Sequence, residues 1–265
     1  MNYLESIVAR TRREVQRRLR RASAQEVWRR ALARAAAPRP VLPALQRREG
    51  TLRVIGEIKF RSPSKGKLRE RPAGEALRIA RSYEEAGAAA LSVLADRYDF
   101  EGGVLDVRRV AQVAEIPVLF KGFVVDPLQV ALARAVGASM VLLIVRALDP
   151  LLLAELVDAV HEQGMEAVVE AADLDELERG LSTPARVLGF NARDLRTFVE
   201  DSGLAAEGVA RIPGDRIAVW MSGIRSPKDL LSVSQSRADA VLIGEGLMTA
   251  ADPGARLREL LAYER

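Results

Sequence analysis

The chain has 265 residues, 49% of them hydrophobic and 29% charged, enough for one large core or two small ones. It has no cysteine and one histidine, which excludes a disulfide framework and thiolate chemistry and leaves a metal centre short of nitrogen and sulfur ligands. The net charge of +4 is uneven: residues 1–40 hold eleven arginines against three glutamates, so the rest is mildly acidic.

The first segment, MNYLESIVARTRREVQRRLRR, turns charged at once and lacks the apolar centre of a secretory leader. Its pattern predicts a helix over 2–36, with Ile7, Val8, Val15 and Leu19 on one face and the arginines solvated. A basic arm can also signal nucleic acid, but the few aromatics are not interleaved with the arginines as a stacking surface requires. Nucleic-acid binding is therefore not expected. The prolines of Pro38–Pro43 break the helical pattern.

From about residue 51 onward, strand and helix patterns alternate. Strands are predicted at 52–59, 89–95, 117–122, 138–145, 167–171, 186–191, 217–222 and 240–244. Helical patterns lie between them, for example at 74–85, 127–135 and 150–163, and a last helix spans 253–263. The longest apolar run, around Met140–Val145, is far short of the roughly 20 residues a membrane span needs. A cytoplasmic monomer is expected. Eight βα units predict a TIM (β/α)8 barrel over 51–265 behind a helical extension over 1–45, all in one domain. An open doubly wound sheet is the alternative; no GxGxxG or phosphate-loop sequence follows the first strand to support it.

Several apolar runs end on charged or small polar residues, as in VIGEIK (54–59), VLFKGF (118–123), AVVE (167–170), VLGFN (187–191), AVWMSG (218–223) and AVLIGEG (240–246). A buried parallel strand ends this way where its end opens onto a site, which in a barrel is the C-terminal face. Glu57 and Lys59 share parity on the first strand; Lys121 ends the third and Glu170 the fifth. Lysines beside carboxylates at a barrel mouth suit proton transfer, although a satisfied ion network is a competing explanation. Asn191 and Arg193 end the sixth strand, and the Arg193 guanidinium suits a substrate carboxylate. Ser222-Gly223 and Gly244-Glu245 follow strands seven and eight, where barrels bind phosphate, and Ser62 to Gly66 can add a hydroxyl and a cation. Tight turns favour the same small residues. Phe100 and Phe123 can wall an aromatic substrate or simply pack. His161, in a surface-helix pattern, is read as solvated.

EIKFRSPSKG (57–66), LSVLADRYDFEGG (91–103), VLFKGFVVDP (118–127), VVEAADLDEL (168–177), LGFNARDLRTF (188–198), SGIRSPKDL (222–230) and ADAVLIGEGLM (238–248) together resemble indole-3-glycerol phosphate synthase, in order and over almost the whole chain. The resemblance implies cofactor-free ring closure of 1-(2-carboxyphenylamino)-1-deoxyribulose 5-phosphate, with loss of carbon dioxide and water. It implies Lys121 as general acid, Glu170 as general base, Lys59 with Glu57 as a second proton-handling pair, and Asn191 as hydrogen-bond partner of the reacting hydroxyl. It places Arg193 near the anthranilate end and Ser62, Gly223, Gly244 and Glu245 at the phosphate, beside Ser222. The chain departs from the family pattern at Met221, where a glutamate normally stands, and at Gly122, Ala171, Ala172 and Ala192. A diverged paralogue acting on a related arylamino sugar phosphate, and a non-catalytic ligand-binding protein, are the competing readings.

Overall fold

Side chains alternate along a strand, so each apolar run splits into two sets. In the computed structural model, which describes residues 3–19, 26, 36–194 and 198–262, the two sets form two cores. Eight parallel strands close into a barrel: β1 (Arg53–Ile58), β2 (Ala90–Leu94), β3 (Val118–Lys121), β4 (Met140–Ile144), β5 (Glu166–Ala171), β6 (Val187–Asn191), β7 (Ile217–Met221) and β8 (Ala240–Ile243). Each pairs with its sequence neighbours, and β8 closes on β1 with Arg53 opposite Ala240. Ile55, Leu119, Leu142, Val168, Val219 and Leu242 fill the interior. Val54, Val93, Phe120, Val141, Val169 and Phe190 point outward, into the layer shared with the helices.

The extension holds α1 (Tyr3–Leu19) and a one-turn α2 (Leu42–Leu45). Around the barrel run α3 (Glu75–Glu85), α4 (Val104–Val113), α5 (Pro127–Ala135), α6 (Pro150–Glu162), α7 (Leu174–Leu181), α8 (Ser202–Arg211), α9 (Pro227–Ser234), α10 (Glu245–Met248) and α11 (Pro253–Ala262). Asp-Pro and Ser-Pro pairs start four of these helices, the fourth being Asp252-Pro253 at α11, where the Asp252 side chain accepts the Ala255 N–H. The Asp126, Asp149 and Ser226 side chains accept from N–H groups of the first turn, and each following proline sits where no N–H is needed.

The extension reaches both ends of the barrel. At the N-terminal end, Val41 and Leu45 pack beneath Ile55, Met140 and Ile217. There the Arg47 guanidinium bonds the carbonyls of Ser234 at 2.7 Å and Ser236 at 3.0 Å, tying the extension to the end of α9. At the C-terminal end, Tyr3, Leu4 and Ile7 of α1 roof the barrel mouth.

The strand expectations agree with the structure to within one or two residues at each end. Pro43 does more than interrupt: α2 starts at Leu42, with the proline in its first turn. A two-residue antiparallel ribbon, Arg61–Ser62 against Gly66–Lys67, occupies what reads as a loop. Ile7 and Val15 are buried on the shared face of α1; residues 20–25 and 27–35 of the expected helix, and the Leu19 side chain, lie outside the described residues. His161 departs from expectation: it is largely buried at the end of α6, its Nε2 3.8 Å from Glu166 at the barrel's N-terminal end. Burial there lowers its pKa more than Glu166 raises it.

Candidate active site

Inward parity at the C-terminal strand ends brings Glu57, Lys121, Glu170, Asn191 and Met221 to one cavity. Lys59 joins them one residue past β1, and its ammonium lies 2.8 Å from Glu57 Oε2. The Lys121 ammonium lies 3.6 Å from Glu57 Oε1 and 3.6 Å from Glu170 Oε2. Asn191 Nδ2 donates to Glu170 Oε1 at 3.0 Å, and its Oδ1 accepts the Arg193 backbone N–H at 3.0 Å. Among the described residues Glu170 Oε2 accepts no hydrogen bond, and the Lys121 ammonium faces it at 3.6 Å.

Burial pushes the Glu57 carboxyl up, but the ammoniums of Lys59 and Lys121 outweigh it and hold the group below its ordinary range. Burial pulls the Lys121 ammonium down, and Glu170 and Glu57 more than reverse that, so it stays charged above the ordinary lysine range. At neutral pH the cluster therefore carries a proton on Lys121 beside an ionised Glu57. That is the polarity needed to protonate a developing alkoxide.

Below these groups Leu142, Leu242 and Met221 form an apolar floor. Phe100 and Phe123 stand on one wall, ring centroids 6.1 Å apart. On the opposite side come the small residues. Ser222 and Gly223 both take left-handed backbone conformations, φ 68° and 81°, directly after β7. Gly244 follows β8 so closely over the Glu57–Lys59 pair that an added β-carbon would fall 2.2 Å from Glu57 Oε2. Ser62 is buried in the cavity wall, and its hydroxyl also accepts the Lys65 N–H at 3.2 Å, so it serves the turn as well. Lys65 is exposed and not part of the lining; the cations that reach the cavity are Lys59, Lys121, Arg193 and Arg225.

Arg193 and Glu245 come together outside this cluster. Arg193 bonds Glu200 and, at 3.1 Å, Glu245. Burial alone would raise the Glu245 pKa; the bonds from Arg193 and Arg225 overcome it and lower it. A carboxylate so engaged repels a phosphate, which leaves only the Glu245 backbone as a partner for one.

Glu57, Lys59, Ser62, Phe100, Lys121, Phe123, Glu170, Asn191, Arg193, Ser222, Gly223, Gly244 and Glu245 all line this cavity, whereas Lys65 and Gly66 of the expected phosphate loop do not. Sequence reasoning missed the floor, the roof from α1, and Glu200 and Arg225. Arg225 lies inside SGIRSPKDL, where a charge next to a glycine loop is a usable signal; Glu200 carries none.

A family model described as indole-3-glycerol phosphate synthase matches residues 4–260. The indole-3-glycerol phosphate synthase of Beutenbergia cavernae is 43% identical over 264 residues, covering 99% of this chain and 96% of that protein. That of Parafrankia sp. is 42% identical over 98% and 96%, and that of Leifsonia xyli 45% over 85% and 86%. Among solved structures, a chain of the tryptophan synthase complex from Pyrococcus furiosus superposes with a TM-score of 0.59 at 15% identity, covering 80% of this chain and 98% of that one. Thiamine phosphate pyrophosphorylase from the same organism gives 0.57 at 15%, over 80% and 95%. At such identities the two structures share the barrel fold and nothing more.

Proposed function

The chain belongs to the indole-3-glycerol phosphate synthase family, and we propose that Lys121 and Glu170 are the proton-handling pair of its reaction. That reaction is the decarboxylating, dehydrating closure of 1-(2-carboxyphenylamino)-1-deoxyribulose 5-phosphate to indole-3-glycerol phosphate, a step of tryptophan biosynthesis.

The ring carbon that bears the carboxylate attacks the ketone carbon, and Lys121 gives its proton to the ketone oxygen as the bond forms. Carbon dioxide leaves with the electron pair of its bond passing into the ring, which restores aromaticity. The new hydroxyl then departs as water with a proton from the lysine pair. Glu170 Oε2 takes a proton from the adjacent carbon as the double bond closes. Lys59, neutralised by Glu57, supplies a second ammonium for this exchange or for the carboxylate. Asn191 holds the other oxygen of Glu170 and keeps Oε2 turned to the substrate.

Phe100 and Phe123 wall the aryl ring, Arg193 meets its carboxylate, and the backbones of Ser222, Gly223, Gly244 and Glu245 with Ser62 hold the phosphate. The observation that carries this reading is the position of Lys121, between two carboxylates and above an apolar floor. The proposal includes one domain with its extension, a cytoplasmic monomer and no cofactor. Among the described residues no helix is long and apolar enough to cross a membrane.

Incubation with the carboxyphenylamino-deoxyribulose phosphate, following indole absorbance and carbon dioxide together, tests the reading. Stoichiometric appearance of both is expected. Substrate consumption without carbon dioxide would overturn it.

A further inference from the structure

Four side chains form a closed ring of alternating charge at the rim between the ends of β6, β7 and β8. Arg193 Nε donates to Glu200 Oε1 at 3.0 Å, and Nη2 reaches the same oxygen. Arg193 Nη2 also donates to Glu245 Oε2 at 3.1 Å. Arg225 closes the circuit, with Nη2 2.7 Å from Glu200 Oε1 and Nε 3.3 Å from Glu245 Oε1. Arg193 and Glu200 also face each other as a backbone bridge across the neck of the loop they bound. Their side chains are therefore cross-strand partners, set opposite one another by the backbone itself.

This arrangement constrains one guanidinium. Glu200 takes Nε and Nη2 side-on, and Glu245 shares Nη2. Nη1 is left on the side of Ser64, whose hydroxyl lies 3.5 Å away across the cavity mouth. With Glu200 absent, Glu245 would remain the single carboxylate of the ring, with both arginines drawn to it and the Nη1 edge turned from the mouth. The pull is electrostatic and strongest among Arg193, Glu200 and Glu245, which are largely buried, while the Arg225 side chain is exposed.

We propose that Glu200 is a positioning residue, holding Arg193 side-on so that its Nη1 edge meets the substrate's carboxylate. The proposal rests on the reading of the reaction given above and deepens it. Glu200 touches no reacting atom. It acts on ground-state binding, because the same contact persists as the ring carbon attacks.

The test is steady-state kinetics of Glu200→Ala and Glu200→Gln beside the wild type. The alanine variant is expected to raise KM for the carboxyphenylamino substrate by about ten-fold with kcat within about three-fold, the pattern of lost uniform binding. Glutamine keeps an oxygen opposite Arg193 and is expected to return KM to within about three-fold of wild type. The inhibition constant of inorganic phosphate should not move in either variant. An unchanged or lowered KM in Glu200→Ala overturns the proposal, and so does a phosphate constant that rises in parallel with KM. Should the alanine variant not fold, Glu200→Val, suited to the bridge, takes its place with the same outcomes. A wild-type protein that releases no indole product sinks the proposed reaction instead. Calorimetric titration with 2-aminobenzoate then decides on Glu200: weaker binding in the alanine variant supports the proposal, and equal binding overturns it.

Discussion

The terminal methyl of Met221 lies over the α-carbon of Gly189, in the space a β-carbon would need: built there, that carbon would fall 2.2 Å from Met221 Cε and 2.9 Å from its sulfur. The two residues belong to neighbouring strands and share inward parity, so the floor of the cavity depends on a glycine making room for a thioether. Gly189→Ala should drive the methionine methyl up into the cavity, since the end of that chain is its softest part. KM should rise several-fold. Met221→Ala should cost about 2–5 kcal/mol by leaving a void. The double variant should be less destabilised than the two singly added, because the alanine methyl fills part of that void. Strict additivity in denaturant unfolding would contradict the contact.

Lys121→Ala removes the one ammonium placed between Glu57 and Glu170. Turnover should fall by roughly 10²- to 10⁴-fold, the range typical of a lost general acid, while the substrate still binds through its phosphate. Single-turnover rates and equilibrium binding of the product separate the two effects. An unchanged rate removes Lys121 from the reaction.

The pH dependence follows from signs alone. Lys121 has a raised pKa in the folded protein, so the stability it contributes is fully present below the ordinary lysine value. It is lost as pH rises through the folded one. The alkaline limb of kcat/KM, if it reports Lys121, therefore lies above the ordinary lysine range. Glu57→Gln deletes one of the two carboxylates responsible and should move that limb to lower pH. Glu57 itself is depressed, so its own contribution is present above the ordinary carboxyl value and lost as pH falls through the folded one. A limb that stays in place in Glu57→Gln, measured by pH–rate profile, would exclude this assignment.

Arg10 fastens the roof: it bonds Asp96 at 3.0 Å and also Asp99, both on the loop after β2. Tyr3 of the same helix meets Phe198 edge-on, with centroids 5.6 Å apart. Arg10→Ala should cost little stability, within the 0–1 kcal/mol of about any partly exposed ion pair. It should nevertheless raise KM and speed proteolysis within α1. Limited digestion with and without substrate checks both, and equal rates for variant and wild type would disprove the fastening.

What was readable before the fold was known follows a simple rule. Short continuous apolar runs located β1 to β8, as expected of strands buried on both faces, and the charged or polar residue at the end of each run put Glu57, Lys121, Glu170 and Asn191 at the barrel mouth. Glycine after a strand flagged Gly223 and Gly244 for the same local reason. Glu200 escaped because its meaning comes from Arg225 and Glu245, which are far along the chain and carry no period linking them to it. The roof escaped likewise: the apolar face of α1 is visible in the sequence, but not that it covers the mouth. The ribbon at Arg61–Lys67 is too short for any alternation to register.

Arg47 has a consequence for how the molecule comes into being. Its carbonyl partner on Ser234 is translated 187 residues later. At about 5–20 residues per second, the ribosome makes this arginine wait roughly 10–40 seconds for that acceptor. The underside of the nascent barrel, with Val41 and Leu45, therefore stays unsealed until nearly the whole polypeptide has emerged. Holding apolar surface open for that long favours engagement by chaperones during synthesis.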